Sequence, residues 1–166
     1  MLGLARIKAK GTVKNLENIL ISDPDERVRR AAAYSILILD REKFLNLLNS
    51  SDGNVRVISL ETISRKEKEK AYSYLEKGLS DPLFAVRQAA LVLLAQTPGP
   101  ETTALVLHLA EKVTEDSSLR VEALSVLSRT AGPDILDRLN ILAGSGTDFT
   151  VRAAAVTAVK EVESRK

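Results

Sequence analysis

Five arginines stand in register along this chain, Arg29, Arg56, Arg87, Arg120 and Arg152, spaced 27, 31, 33 and 32 residues apart. A guanidinium is a rigid fork of donors that matches phosphate or carboxylate oxygens. A row of them could hold a polyphosphate, or it could tie parts of the protein to one another. Context favours the second chemistry. Each arginine follows an aliphatic residue at the start of an apolar stretch, and acidic turn residues such as Asp23 and Asp81 lie close by in the chain. We therefore expect a structural ladder, with these arginines bridging to turn residues and joining neighbouring segments.

Other chemistry-bearing residues are scarce. His108 is the only histidine, it is followed by Leu109, and cysteine is absent. With no positioned nucleophile and no second ligand, neither a triad nor a metal constellation can be assembled. The expectation is no catalytic residue, no metal and no cofactor. Lys and Arg number 24 against 22 Asp and Glu, a net charge of +2 that splits into +3 up to Leu83 and −1 beyond. Neither part has the composition of a nucleic-acid surface. The opening MLGLARIKAK carries Arg6 and lacks the apolar core of a signal peptide. No apolar run approaches the ~20 residues that cross a bilayer, so no membrane partner is expected and a cytoplasmic location is the plain reading.

The arginines need elements to hold them, and the residues around each one show what those are. Immediately before stand Val28, Val55, Val86, Leu119 and Val151; three after stand Ala32, Ser59, Ala90, Ala123 and Ala155; seven after stand Ile36, Ile63, Leu94, Leu127 and Val159. Aliphatic, small and aliphatic residues at offsets −1, +3 and +7 lie on successive turns of one helical face. The small column lets another helix approach closely. Four residues before four of the arginines stand Asp25, Asp52, Asp116 and Asp148, placed to accept from free backbone N–H groups as N-caps. The third recurrence has Asp81-Pro82 instead, which predicts a cap followed by proline at the first helical position.

Between these helices lie second amphipathic segments: Thr12 to Ile21, Arg41 to Ser50, Glu69 to Leu79, Glu101 to Val113 and Asp134 to Gly144. Gly11, Pro98-Gly99-Pro100, Gly132-Pro133 and Gly144-Ser145-Gly146 mark turns. Each recurrence is thus a helical hairpin. One hairpin cannot cover its own apolar face, so neighbours stack. With 166 residues, 45% hydrophobic and 28% charged, the chain suits one repeat domain over 1–166. It starts and stops mid-hairpin, which reads either as natural caps or as a fragment of a longer array.

The pattern D-x-x-V-R-x-x-A-x-x-x-L with short second helices resembles the HEAT repeat, in the short HEAT-like variety of phycobilin lyases. That resemblance implies an all-α, α-α superhelix, a HEAT-like solenoid of about five hairpins with the arginine helices outside and the second helices lining an inner groove. It also implies that arginine and turn aspartate tie successive hairpins together. Asn18, Asn46, Lys77, His108 and Asn140 then form a polar row along the groove, with Tyr72 as a free aromatic beside it and Tyr74 in the core. HEAT-type di-iron hydroxylases need several His-Glu pairs, which are missing, and HEAT-like DNA glycosylases need an aromatic, basic surface, whereas this chain has no Trp, three Tyr and three Phe. The function expected is a non-enzymatic scaffold or adaptor that binds another protein along the groove. The alternatives are a phycobilin lyase-like subunit acting on a chromophorylated protein and a structural segment of a larger repeat protein, with self-association through end faces.

Overall fold

The computed structural model describes residues 2–144 and 148–165, and the side chains of 11–68, 70–144 and 148–165. Ser145, Gly146 and Thr147, which belong to an expected turn and to the start of the fifth recurrence, lie outside the described residues. Among the described residues there are ten α-helices and no strand: α1 (Leu2–Ser22), α2 (Glu26–Leu39), α3 (Arg41–Leu47), α4 (Gly53–Glu67), α5 (Tyr72–Gly78), α6 (Phe84–Leu94), α7 (Pro100–Glu111), α8 (Ser117–Thr130), α9 (Leu136–Gly144) and α10 (Phe149–Glu163). Single 3₁₀ turns at Lys68–Ala71 and Pro133–Ile135 lead into α5 and α9. The fold is all-α, with five arginine-bearing helices (α2, α4, α6, α8, α10) alternating with five others.

Local chemistry sets the helix starts. Asp25, Asp52, Asp116 and Asp148 each accept a hydrogen bond from the backbone N–H two residues on, at 2.8, 2.8, 2.8 and 2.7 Å. Each thereby satisfies one of the donors that a helix N-terminus leaves open. Asp81 does the same for the Leu83 N–H at 2.9 Å. The helix there begins only at Phe84, so Pro82 belongs to the turn before it and not to the first helical position.

The three columns around the arginines are buried, with one exception. The small column is at most 4% exposed throughout, and Ile36, Ile63, Leu94 and Leu127 are at 0%. Val28 departs from its column, at 40% exposed where Val55, Val86, Leu119 and Val151 are at 1% or less. It stands in the first turn of α2, which packs mainly against α1, α3 and α4. No arginine-bearing helix precedes α2 among the described residues to cover that position. A second departure is Gly11, which sits inside α1 and does not separate two helices. A glycine there costs about 1 kcal/mol relative to alanine and is carried by the rest of the helix.

The chain divides into two compact units, 1–90 and 91–166, with the division inside α6. In the first, α2 packs on α1, α3 and α4, and α4 on α5 and the turn before it. Its core holds Leu20, Ile36, Phe44, Val55 and Ile63. Gly78 lets α5 come close: a Cβ there would lie 3.0 Å from the Ala90 Cβ and 3.1 Å from Leu60. In the second unit α8 packs against α7 and α10, and α10 against α9, over Leu107, Leu119, Leu124, Leu127 and Leu139. Arg165 donates to the carbonyls of Ser128 and Ala131, which the last turn of α8 leaves open.

Candidate functional site

Arg29, Arg56, Arg87 and Arg120 of the ladder are aimed at the backbone. Arg29 Nη1 donates to the carbonyls of Asp23 and Pro24 at 2.7 and 3.2 Å. Arg56 Nη1 donates to Ser50 and Ser51 at 2.6 and 3.3 Å, and Arg87 Nη1 to Asp81 and Pro82 at 2.9 and 3.1 Å. In each case the acceptors lie six and five residues back, so one guanidinium closes the loop ahead of its own helix. Asp23 meets Arg29 only through its carbonyl; its carboxylate accepts the Asp25 N–H at 2.9 Å.

Arg56 also makes a two-pronged ion pair with a carboxylate, Nε to Asp81 Oδ2 at 2.7 Å and Nη2 to Asp81 Oδ1 at 2.8 Å. That pair links the start of α4 to the turn before α6. Burial by itself would push the Asp81 carboxyl up, but the hydrogen bonds from Arg56 and the Leu83 N–H, with the charges of Arg56 and Arg87, outweigh it and hold the group below its ordinary value. Arg120, 2% exposed, uses Nε on the Ala110 carbonyl at 2.8 Å. Arg152 lies 6.0 Å from the Phe149 ring, as Arg87 lies 5.8 Å from Phe84. The donors that Arg29, Arg56 and Arg87 commit to loop carbonyls are poorly placed to grip a phosphate.

The polar row is exposed at all five positions. In the first unit Asn18, Asn46 and Lys77 lie on α1, α3 and α5, and in the second His108 and Asn140 lie on α7 and α9. Tyr72 is half-buried and engaged by the rest of the protein, so it is not the free aromatic expected from its neighbours in sequence. Tyr74, expected in the core, packs against it but is half-buried and lines a cleft. That cleft gathers one member of the row, Lys77, with apolar groups. It encloses about 630 Å³ between α3 and α5, lined by Leu45, Leu48, Asn49, Tyr74 and Lys77, with the Arg56–Asp81 pair among its walls. Lys77 Nζ donates to Asn49 Oδ1 at 2.7 Å across it. Asn46 and Tyr72 do not line it.

Sequence reasoning passed over Leu45, Leu48 and Asn49 because they read as ordinary members of an amphipathic turn. It also passed over the ties between helices one repeat apart. Arg30 bonds Glu61, 31 residues on, Arg41 bonds Glu67 at 3.0 and 2.9 Å, and Arg138 bonds Glu111, 27 residues back. Opposite charges separated by about one period were the available signal. The Arg41 guanidinium holds the Glu67 carboxyl below its usual range.

Among the described residues no helix is long and apolar enough to cross a membrane, and no three His, Asp or Glu side chains converge as a metal site requires. The profile of HEAT repeats matches residues 75–160, just over half of the chain. The chain belongs to the HEAT-repeat family. No curated protein matches it. HEAT repeats commonly serve as protein-interaction scaffolds and are generally not enzymes.

Proposed function

We propose that this HEAT-repeat chain is a non-enzymatic interaction module that holds another protein against its second helices, with the α3–α5 cleft as a principal contact. The observation that carries this is the cleft's make-up: Leu45 and Leu48 for apolar burial, Tyr74 as an amphipathic anchor and Lys77 as a hydrogen-bonding cation at the rim. An interface anchor is such a mixture, an aromatic or aliphatic group that can be fully desolvated and polar groups around it. The ladder supports the reading from the other side, since residues committed to loop carbonyls keep the second helices in place without taking part in chemistry.

The test is affinity capture from the parent cells' lysate at low and moderate salt, with the wild type beside Leu45→Glu/Lys77→Glu and Asn46→Ala/Lys77→Ala/His108→Ala. A protein retained stoichiometrically by the wild type and lost by the first variant supports the cleft as its seat. Retention unchanged in both variants removes the cleft from the function. A coloured eluate, which would mean bound bilin, or no specific retention at all overturns the adaptor reading.

A further inference from the structure

A second cleft, in the first unit, lies between the arginine-bearing helices α2 and α4 and encloses about 440 Å³. Its walls are Arg30, Ala31, Tyr34, Glu61, Thr62, Arg65 and Lys66. Along α2 the exposed residues Ala31, Tyr34 and Ile38 follow at steps of three and four, an outward apolar stripe that the second helices do not cover. Tyr34 is 47% and Ile38 56% exposed.

The charges around this stripe are unequal. Arg30 is taken up by carboxylates, bonding Glu26 Oε1 at 2.6 Å and Glu61 Oε1 at 3.1 Å. Arg65 and Lys66 are both exposed, and neither has a carboxylate partner among the described side chains. The Lys66 ammonium lies 5.7 Å from the Tyr34 ring centre, which brings a cation and an apolar ring face into one spot. Read along the chain, the run from Ser64 to Lys70 alternates in sign and should cancel. Folding separates it, because Glu67 turns to Arg41 and sits only 18% exposed.

We propose that the α2–α4 cleft binds a linear acidic segment of a partner protein, with one apolar side chain laid on Tyr34 and Ala31 and its carboxylates met by Arg65 and Lys66. Charge complementarity chooses this occupant: two exposed cations with no carboxylate partner among the described side chains flank an exposed ring, and an acidic chain with a single apolar anchor satisfies both. The inference rests on the interaction-module reading but uses a surface separate from the α3–α5 cleft.

The probe is a short fluorescein-labelled peptide of Asp and Glu around one central Phe, followed by anisotropy at about 0.02 M and about 0.15 M salt. The wild type should bind it, several-fold more weakly at the higher salt. Arg65→Glu/Lys66→Glu should cost about tenfold or more, and Tyr34→Ala about fivefold. A peptide with Ser for Phe should bind wild type and Tyr34→Ala alike. Lys160→Glu, an exposed charge reversal on α10, should stay within about twofold of wild type. All these positions are exposed or half-exposed, and unchanged thermal melts would show the variants folded.

No binding, equal binding of a peptide with Lys for every acid, an equal loss in Lys160→Glu, or displacement by oligothymidylate each overturns the proposal. A captured partner that is lost on Leu45→Glu/Lys77→Glu but indifferent to Arg65→Glu/Lys66→Glu overturns this inference and leaves the interaction module standing.

Discussion

Arg56 and Asp81 show how much one residue of the ladder can differ from the next. Arg29 makes only carbonyl contacts, whereas Arg56 adds a two-pronged pair with a carboxylate, both side chains being about a tenth exposed. Removing Arg56 leaves Asp81 partly buried beside fewer donors. Arg56→Ala should therefore cost about 2–3 kcal/mol, and Arg29→Ala about 1 kcal/mol, in urea unfolding monitored by circular dichroism. Equal losses would mean that the carboxylate is incidental. The pair also makes stability depend on pH. Because the folded Asp81 carboxyl titrates below its unfolded value, its contribution is complete above the unfolded value, near pH 4, and fades as pH falls through the lower, folded one. Wild type should lose stability over that acid interval more steeply than Asp81→Asn, and parallel curves would rule out the linkage. The register of all five arginines was legible in the sequence; their acceptors were not. A backbone carbonyl carries no sequence identity, so nothing in the letters distinguishes a bond to Asp23's main chain from one to its carboxylate.

Helices were legible where side chains alone decide them. The caps at Asp25, Asp52, Asp116 and Asp148 and the three buried columns follow from residue type and spacing, and they place every arginine-bearing helix within a residue or two. Reading failed where the rule is permissive. Glycine marks a turn only when the backbone needs its freedom, and α1 passes through Gly11 with open space around the missing Cβ. Gly11→Ala should consequently raise stability by up to about 1 kcal/mol, seen as a higher melting temperature. A loss would show that the residue serves a bend after all. Val28 failed for a different reason, since burial on the −1 column requires a neighbouring helix and not merely an aliphatic residue. For the candidate site, the exposure of Asn18, Asn46, Lys77, His108 and Asn140 follows from helical periodicity. The cleft at Lys77 depends on how α3 and α5 are spaced, to which no single segment testifies.

At the scale of the whole chain, this HEAT-repeat protein is built by one repeated operation, and the loop ahead of each arginine-bearing helix stays short throughout. From the ends of α1, α3, α5, α7 and α9 to the next arginine there are seven, nine, nine, nine and eight residues. The unequal spacings of the arginines arise elsewhere, in α3, α5, α7 and α9, which run from seven to twelve residues, and in the turns that lead into them. At Arg29, Arg56 and Arg87, a guanidinium that must reach carbonyls six and five positions back limits the length of chain it can span. Two residues inserted between Ser50 and Ser51 should therefore lower the melting temperature by several degrees, while the same insertion between Pro98 and Gly99 should change it little. Comparable shifts at both places would show that the arginine does not measure the loop. The ladder is in this sense a length gauge. It marks where such a chain can gain or lose residues over generations, or accept a grafted loop in the laboratory, and where it cannot.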